Sequence, residues 1–181
     1  MSNSKPNDLF SVGILPRLDS SSLVEDFVTG CLGRYAHSSP SLNLKDLHIL
    51  IVEPDLAVAD VIAFTLELEG ASVQTVTSAK AAIEAIHKTL PDLLISDLVL
   101  SDADGYSLIQ QIRQLKAYKT GSVPAIAIAQ SAWEINRQQA LSGDFQHYLF
   151  EPLDPFTLMA TIAGLKIQKR LHQQVVDLVV Q

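Results

Sequence analysis

Cysteine is almost absent from this chain, with Cys31 the only one among 181 residues. A lone thiol excludes an intramolecular disulfide, and no Cys/His cluster has zinc-ligand spacing, so the expected compartment is a reducing cytoplasm. The plainest role for Cys31 is that of a buried helix residue. Basic charge is scarce too: 13 Lys and Arg against 20 Asp and Glu leave a net charge of -7. That balance repels a polyphosphate backbone, which argues against nucleic-acid binding and for a protein partner. Long apolar runs are missing, and the polar stretch Met1 to Phe10 lacks the charged-then-apolar order of a signal peptide, so no membrane segment is expected. What the chain does have is 48% hydrophobic residues, enough to build the core of one domain but too few residues for two.

Between Leu47 and Leu165 short β-branched runs alternate with amphipathic stretches, the pattern of βαβ units around a parallel sheet. The strand candidates are Leu47 to Val52, Ser72 to Val76, Asp92 to Asp97, Pro124 to Ala129 and Gln146 to Phe150, all read as buried on both faces. Helical spacing recurs at Val58, Val61, Ile62 and Thr65, at Ala79, Ala82, Ile83 and Ile86, and at Leu108, Ile109, Ile112 and Leu115. A fourth helix is expected around Trp133 to Leu141. A fifth starts with Asp154 as N-cap and Pro155 in the first helical position. The expected fold is therefore a doubly wound, five-stranded α/β domain over residues 46–165.

Residues 1–45 form a Ser-, Asn- and Pro-rich extension with one amphipathic helix, begun by the capping box Ser22 and Glu25. Its stripe, Leu23, Phe27, Cys31 and Tyr35, is expected to be buried, either on its own domain or on a partner. Residues 166–181 continue the apolar spacing through Leu171, Val175 and Leu178 among Lys169, Arg170 and Gln173. They are a candidate homodimer seam, though shorter than a coiled coil requires.

With the strand order 2-1-3-4-5, a ligand crevice lies at the carboxyl ends of strands one and three. The acids fall there: Glu53 and Asp55 follow the first strand, Asp97 ends the third and Glu151 follows the fifth. Oxygen donors of this kind suit magnesium, which takes one or two carboxylates and keeps several waters. Asp55 and Glu151 could equally point into solvent. Asp97 is set between Leu93-Leu94-Ile95 and Leu98-Val99-Leu100, where a carboxylate brings little structural benefit, and is the strongest functional candidate.

Five fragments in order make a resemblance specific: Ile49-Leu50-Ile51-Val52-Glu53, Asp92-Leu93-Leu94-Ile95-Ser96-Asp97, Asp104-Gly105, Val123-Pro124-Ala125-Ile126-Ala127 and Tyr148-Leu149-Phe150-Glu151-Pro152. Over about two thirds of its length the chain resembles the receiver domains of two-component response regulators, with their flavodoxin-like architecture. The resemblance implies that Asp97 is the phosphoacceptor served by a histidine kinase. It also implies a magnesium site of Glu53, Asp97 and the Val99 carbonyl, with Asp55 as an imperfect substitute, and an aromatic switch at Tyr148. Three positions depart from the family pattern. Pro54 stands where the direct metal-ligating Asp belongs, Ala129 replaces the hydroxyl residue, with Gln130 and Ser131 nearby, and Glu151 replaces the lysine. A cation exchanged for an anion about 4 Å from a phosphoryl group turns an attraction into a repulsion, each roughly 4 kcal/mol at an effective dielectric of about 20 before solvent screening.

The expectation is a stand-alone, non-enzymatic signalling protein, a pseudo-receiver acting through protein contact with at most weakly held magnesium. The alternatives are a live receiver phosphorylated on Asp97 and, from a different class, an aspartate-nucleophile phosphatase of the haloacid dehalogenase kind. The last needs a second Asp two residues on, where Val99 stands. The stretch after Leu165 is too short for a helix-turn-helix domain.

Overall fold

The computed structural model describes residues 43–115, 123–135, 142 and 144–165. The N-terminal stripe Leu23, Phe27, Cys31 and Tyr35, the C-terminal segment and the latter part of the expected fourth helix lie outside these residues.

Five short strands form one parallel sheet: β1 (His48–Val52), β2 (Ser72–Val76), β3 (Leu93–Asp97), β4 (Ala125–Ala129) and β5 (His147–Phe150). Their order is β2-β1-β3-β4-β5, as expected. Every residue of β3 and β4 is buried, because each has a strand on both sides and helices over both faces. Side chains alternate between the faces. Leu50, Val52, Leu94, Ala125 and Ala127 enter one core cluster, whereas Ile49, Ile51, Leu93, Ile95, Ile126 and Ile128 enter the other. Burial on both faces does not extend to the edges. No residue of β2 is fully buried, and in β5 only Leu149 is. Each edge strand has a single neighbour, so its outer side meets solvent.

The helices close the two layers. α1 (Leu56–Leu68) contributes Ile62 and Leu66 to one cluster, while α2 (Ala79–Lys88) and α3 (Gly105–Gln114) contribute Ala82, Ile86, Leu108, Ile109 and Ile112 to the other. A fourth helix, α4, occupies residues 155–165 and packs Leu158, Met159, Ile162 and Leu165 beside α1's residues. Its expected cap is present: Asp154 accepts from the Thr157 amide at 2.9 Å and its hydroxyl at 2.7 Å. Among the described residues after β4 the chain makes a 3-10 turn at Ala132–Glu134, so an α-helix does not begin at Trp133. The folded body also starts earlier than residue 46. Leu44 is fully buried in the core and its amide donates to the Glu69 carbonyl at 2.8 Å. At the end of α1, Gly70 has φ +92°, a left-handed conformation that ends the helix at low steric cost.

Arg113 joins elements that are distant in sequence. Its guanidinium donates to the Val123 carbonyl at 2.7 Å and to the Asp144 carbonyl at 2.6 Å, tying α3 to the starts of β4 and β5. Replacing Arg113 by Met keeps the apolar stem but removes both donors. The change should cost about 2 kcal/mol, seen as a lower denaturant midpoint at unchanged slope. An unshifted midpoint would show that water replaces the guanidinium without loss.

Candidate functional site

In a parallel sheet with right-handed crossovers, every strand ends at the same edge, and every following helix begins there. That geometry collects the acids. Glu53 follows β1, Asp97 ends β3, Glu134 lies in the turn after β4 and Glu151 follows β5. Glu53 and Asp97 are 2% and 4% exposed, two of only four buried polar or charged residues among those described. Glu151 is half-buried and Asp55 exposed.

Each acid has a distinct set of partners. Glu53 Oε1 accepts from the Asp55 amide at 2.9 Å, but its Oε2 is buried with no hydrogen-bond partner. Asp55 is exposed and is the N-cap of α1, with Oδ1 accepting from the Ala57 and Val58 amides at 2.8 and 3.4 Å. Asp97 Oδ1 accepts from the Val99 amide at 3.0 Å, within a loop that folds back so that Val99 bridges Asp104. Gly105 permits this fold. A Cβ there would lie 2.5 Å from the Asp97 carbonyl oxygen and 2.9 Å from Leu98 Cα, so Gly105 is a steric requirement of the loop that follows Asp97. Asp104 itself caps α3 through the Ser107 amide at 2.6 Å.

Ala129 is fully buried and brings no hydroxyl. Of its neighbours, Ser131 directs its hydroxyl to Glu134 at 3.3 Å, and the Gln130 amide donates to the same carboxylate at 2.8 Å. Pro54 is half-buried between Glu53 and Asp55, and the Glu151–Pro152 peptide is cis. Tyr148 packs edge-to-face on Phe145, centroids 6.0 Å apart, and Phe145 in turn on Tyr106 at 6.0 Å. Neither tyrosine hydroxyl completes a hydrogen bond, and burial, with the Tyr106 hydroxyl a lesser influence, raises the Tyr148 pKa.

The electrostatics of the crevice share one sign. Burial pushes the Glu53 carboxyl up to about 7, helped by Asp97, Glu151 and Asp55 and opposed by the Asp55 amide. The Asp97 carboxyl is raised by burial and by Glu134, against the Val99 and Leu98 amides. Glu151 is raised by burial and then by Asp97, Asp55 and Glu134. Among the described residues, each side-chain charge acting on these three groups is another carboxylate.

This donor set is weakened for magnesium. Glu53, Asp97 and the Val99 carbonyl remain as oxygen donors for an ion that takes one or two carboxylates, but Pro54 supplies no ligand, Asp55 Oδ1 is committed to the helix cap, and the described residues contain no group of three or more His, Cys, Asp or Glu side chains placed to hold a metal ion. The structure thus brings Glu53, Asp97, Val99 and Glu151 to one edge and assigns Asp55 to a cap. Two acids were overlooked in the sequence. Glu134 forms the pattern Ser131-x-x-Glu134, a legible capping signal. Asp102 accepts from the Ala79 and Lys80 amides at 2.8 and 3.0 Å, a cap on a helix 22 or more residues upstream that no local pattern announces.

The raised Glu53 carboxyl has a pH consequence. Its folded pKa of about 7 lies above the ordinary 4.5, so the native state binds the proton more tightly than the unfolded chain. Stability from this group is complete below about pH 4.5 and declines as pH rises towards 7. Glu53→Gln keeps the oxygen for the Asp55 amide and cannot ionise. It should gain on the order of 1 to 2 kcal/mol over the native chain at pH 8, with little difference at pH 4.5. Parallel melting curves at the two pH values would refute this.

Comparisons with known proteins agree with the geometry. The family described as the response regulator receiver domain matches residues 49–163. An uncharacterised 14.6 kDa protein from the sodA1 3' region of Leptolyngbya boryana is 39% identical over 66% of this chain and 89% of its own length. Regulatory protein VanRc of Enterococcus gallinarum is 31% identical over 70% of this chain, which spans only 51% of that longer protein. The solved receiver domain of sensor histidine kinase PA1611 from Pseudomonas aeruginosa PAO1 has magnesium in its active-site cleft. It superposes with TM-score 0.59 at 26% identity, covering 66% of this chain and 96% of that one. With the fold, the acceptor loop and the family match in agreement, the chain belongs to the response regulator receiver family and carries a receiver domain of two-component signalling.

Proposed function

We propose that this receiver is a pseudo-receiver, a non-enzymatic cytoplasmic interaction module that signals through protein contact without a stable aspartyl phosphate. The observation that carries the reading is the all-carboxylate crevice: Asp97 adds negative charge at Glu151, Glu134 adds it at both, and among the described residues no side-chain cation acts on Asp97. A phosphoryl group on Asp97 would add further negative charge to that pocket. Catalysis of phosphoryl transfer rests on positioning and on offsetting such charge, and here Pro54, Ala129 and Glu151 supply no metal ligand, hydroxyl or cation. Magnesium is at most weakly held. The partner is a histidine kinase or another signalling protein, contacted through the stripe Leu23, Phe27, Cys31 and Tyr35 or, in a second copy, through the C-terminal segment.

A second reading has one observation in its favour. The acceptor loop is intact, with Asp97 held by the Val99 amide and Gly105 packed beneath it, as phosphorylation on Asp97 by a histidine kinase requires.

The combination Pro54→Asp, Ala129→Thr and Glu151→Lys separates the two. Treated with acetyl phosphate and magnesium, the triple variant should form acid-labile phosphate at least about tenfold faster than the native chain, a barrier change of roughly 1.4 kcal/mol. Glu151→Lys should contribute most, since it reverses a charge beside the phosphoryl group, and the three effects need not add within one pocket. Asp97→Asn is the blank. Native labelling as fast and complete as the variant's would replace the pseudo-receiver by a live phosphoacceptor.

A further inference from the structure

The acids at the sheet's carboxyl edge have a second feature. Four of them have a large exposed hydrophobic residue close by in sequence, Glu53 being the exception: Leu56 (65% exposed) after the capping Asp55, Val99 (56%) two residues past Asp97, Trp133 (96%) before Glu134 and Phe150 (47%) before Glu151. At the base of the crevice the buried Glu53 Oε2 has no hydrogen-bond partner. The surface is therefore a group of carboxylates on which no cation among the described residues acts, with exposed apolar side chains close by in sequence. Its complement is a segment that interleaves cations with apolar residues.

The chain contains such a segment. In a protein of net charge -7, Lys166, Lys169 and Arg170 place three of the 13 cations within five positions, interleaved with Ile167 and followed by Leu171. We propose that this basic run of one copy docks in the acidic crevice of a second copy, giving a reciprocal dimer in which each protomer supplies the other's missing cation. Reach favours a second copy over the chain's own crevice. α4 begins beside the crevice and its 11 described residues, 155–165, carry the chain about 16 Å away. To return, the run would have to leave the helix at once and stay extended along its whole length, whereas a second copy makes no such demand. Reciprocal exchange also closes the assembly at two subunits. The inference deepens the self-association named above and does not depend on whether Asp97 is silent.

Charge reversal with complementation tests it on the full chain by sedimentation velocity. The native chain should dimerise at low ionic strength and weaken at least about tenfold when salt is raised tenfold. Glu134→Lys with Glu151→Lys destroys the acceptor, and Lys166→Glu, Lys169→Glu and Arg170→Glu together destroy the donor, so each variant alone should be monomeric. Mixed in equal amounts, they should form a heterodimer through one intact crevice and one intact run. Should a reversal variant lose its cooperative melt, Glu151→Gln and Lys169→Gln give the same comparison with a smaller loss. A native monomer at low salt, a dimer indifferent to both variants, or a mixture that stays monomeric each overturns the proposal. Failure of the pseudo-receiver reading would appear instead as phosphate on Asp97 and leave the mixing result unchanged.

Discussion

A strand covered on both faces and flanked on both edges can place a carboxylate only where it emerges, and β3 is such a strand. Leu93 to Ile95 divide between two apolar clusters, and Ser96 is buried with its hydroxyl on the Asp97 carbonyl at 2.9 Å. The first position at which an ionisable group becomes tolerable is Asp97. The same constraint acts on β1, where Glu53 follows four fully buried residues, and it places the reactive edge of the molecule without reference to what that edge does. Everything else in the site is built around this exit: the folded-back loop, the glycine beneath it and the carboxylates arriving from the neighbouring strands.

The edge is also where the four described helices begin, and this explains how so many acids coexist there. Helix N-termini present unpaired amides and a partial positive charge. Asp55, Asp102, Asp104 and Asp154 each accept from such amides, and burial is slight for Asp102, held below the ordinary range by the Lys80 and Ala79 amides, and for Asp154, held there by the Thr157 hydroxyl and then by amides. Glu53, Asp97 and Glu151 are more buried, and their carboxyls are raised. One edge thus holds two populations of acids, one neutralised by backbone and one repelled by its neighbours.

Much of this was legible in the residues. Short continuous apolar runs at Ile49 to Val52 and Leu93 to Ile95, with helical spacing between, are enough to specify a parallel α/β sheet, and each strand begins within one residue of its expected start. The cap Asp154 was readable because its partner lies three residues away. Asp97 was readable because a carboxylate after three buried aliphatics has no packing purpose. Less legible were the edges: β2 and β5 carry enough apolar residues to look central, and only their position in the sheet exposes them.

Local pattern therefore determined the elements, their order and the candidate acids, because periodicity, capping and turn chemistry operate over a few residues. Tertiary structure alone decided what each acid does. Asp55 became a helix cap once α1 began directly behind it, Asp102 closed a helix far upstream, Glu134 joined the crevice from a turn, and Glu53 was sealed under the others with an unpaired oxygen. The reason is physical: a carboxylate's role is set by the amides and charges within a few ångströms, and in a parallel sheet those neighbours come from strands and helices tens of residues apart.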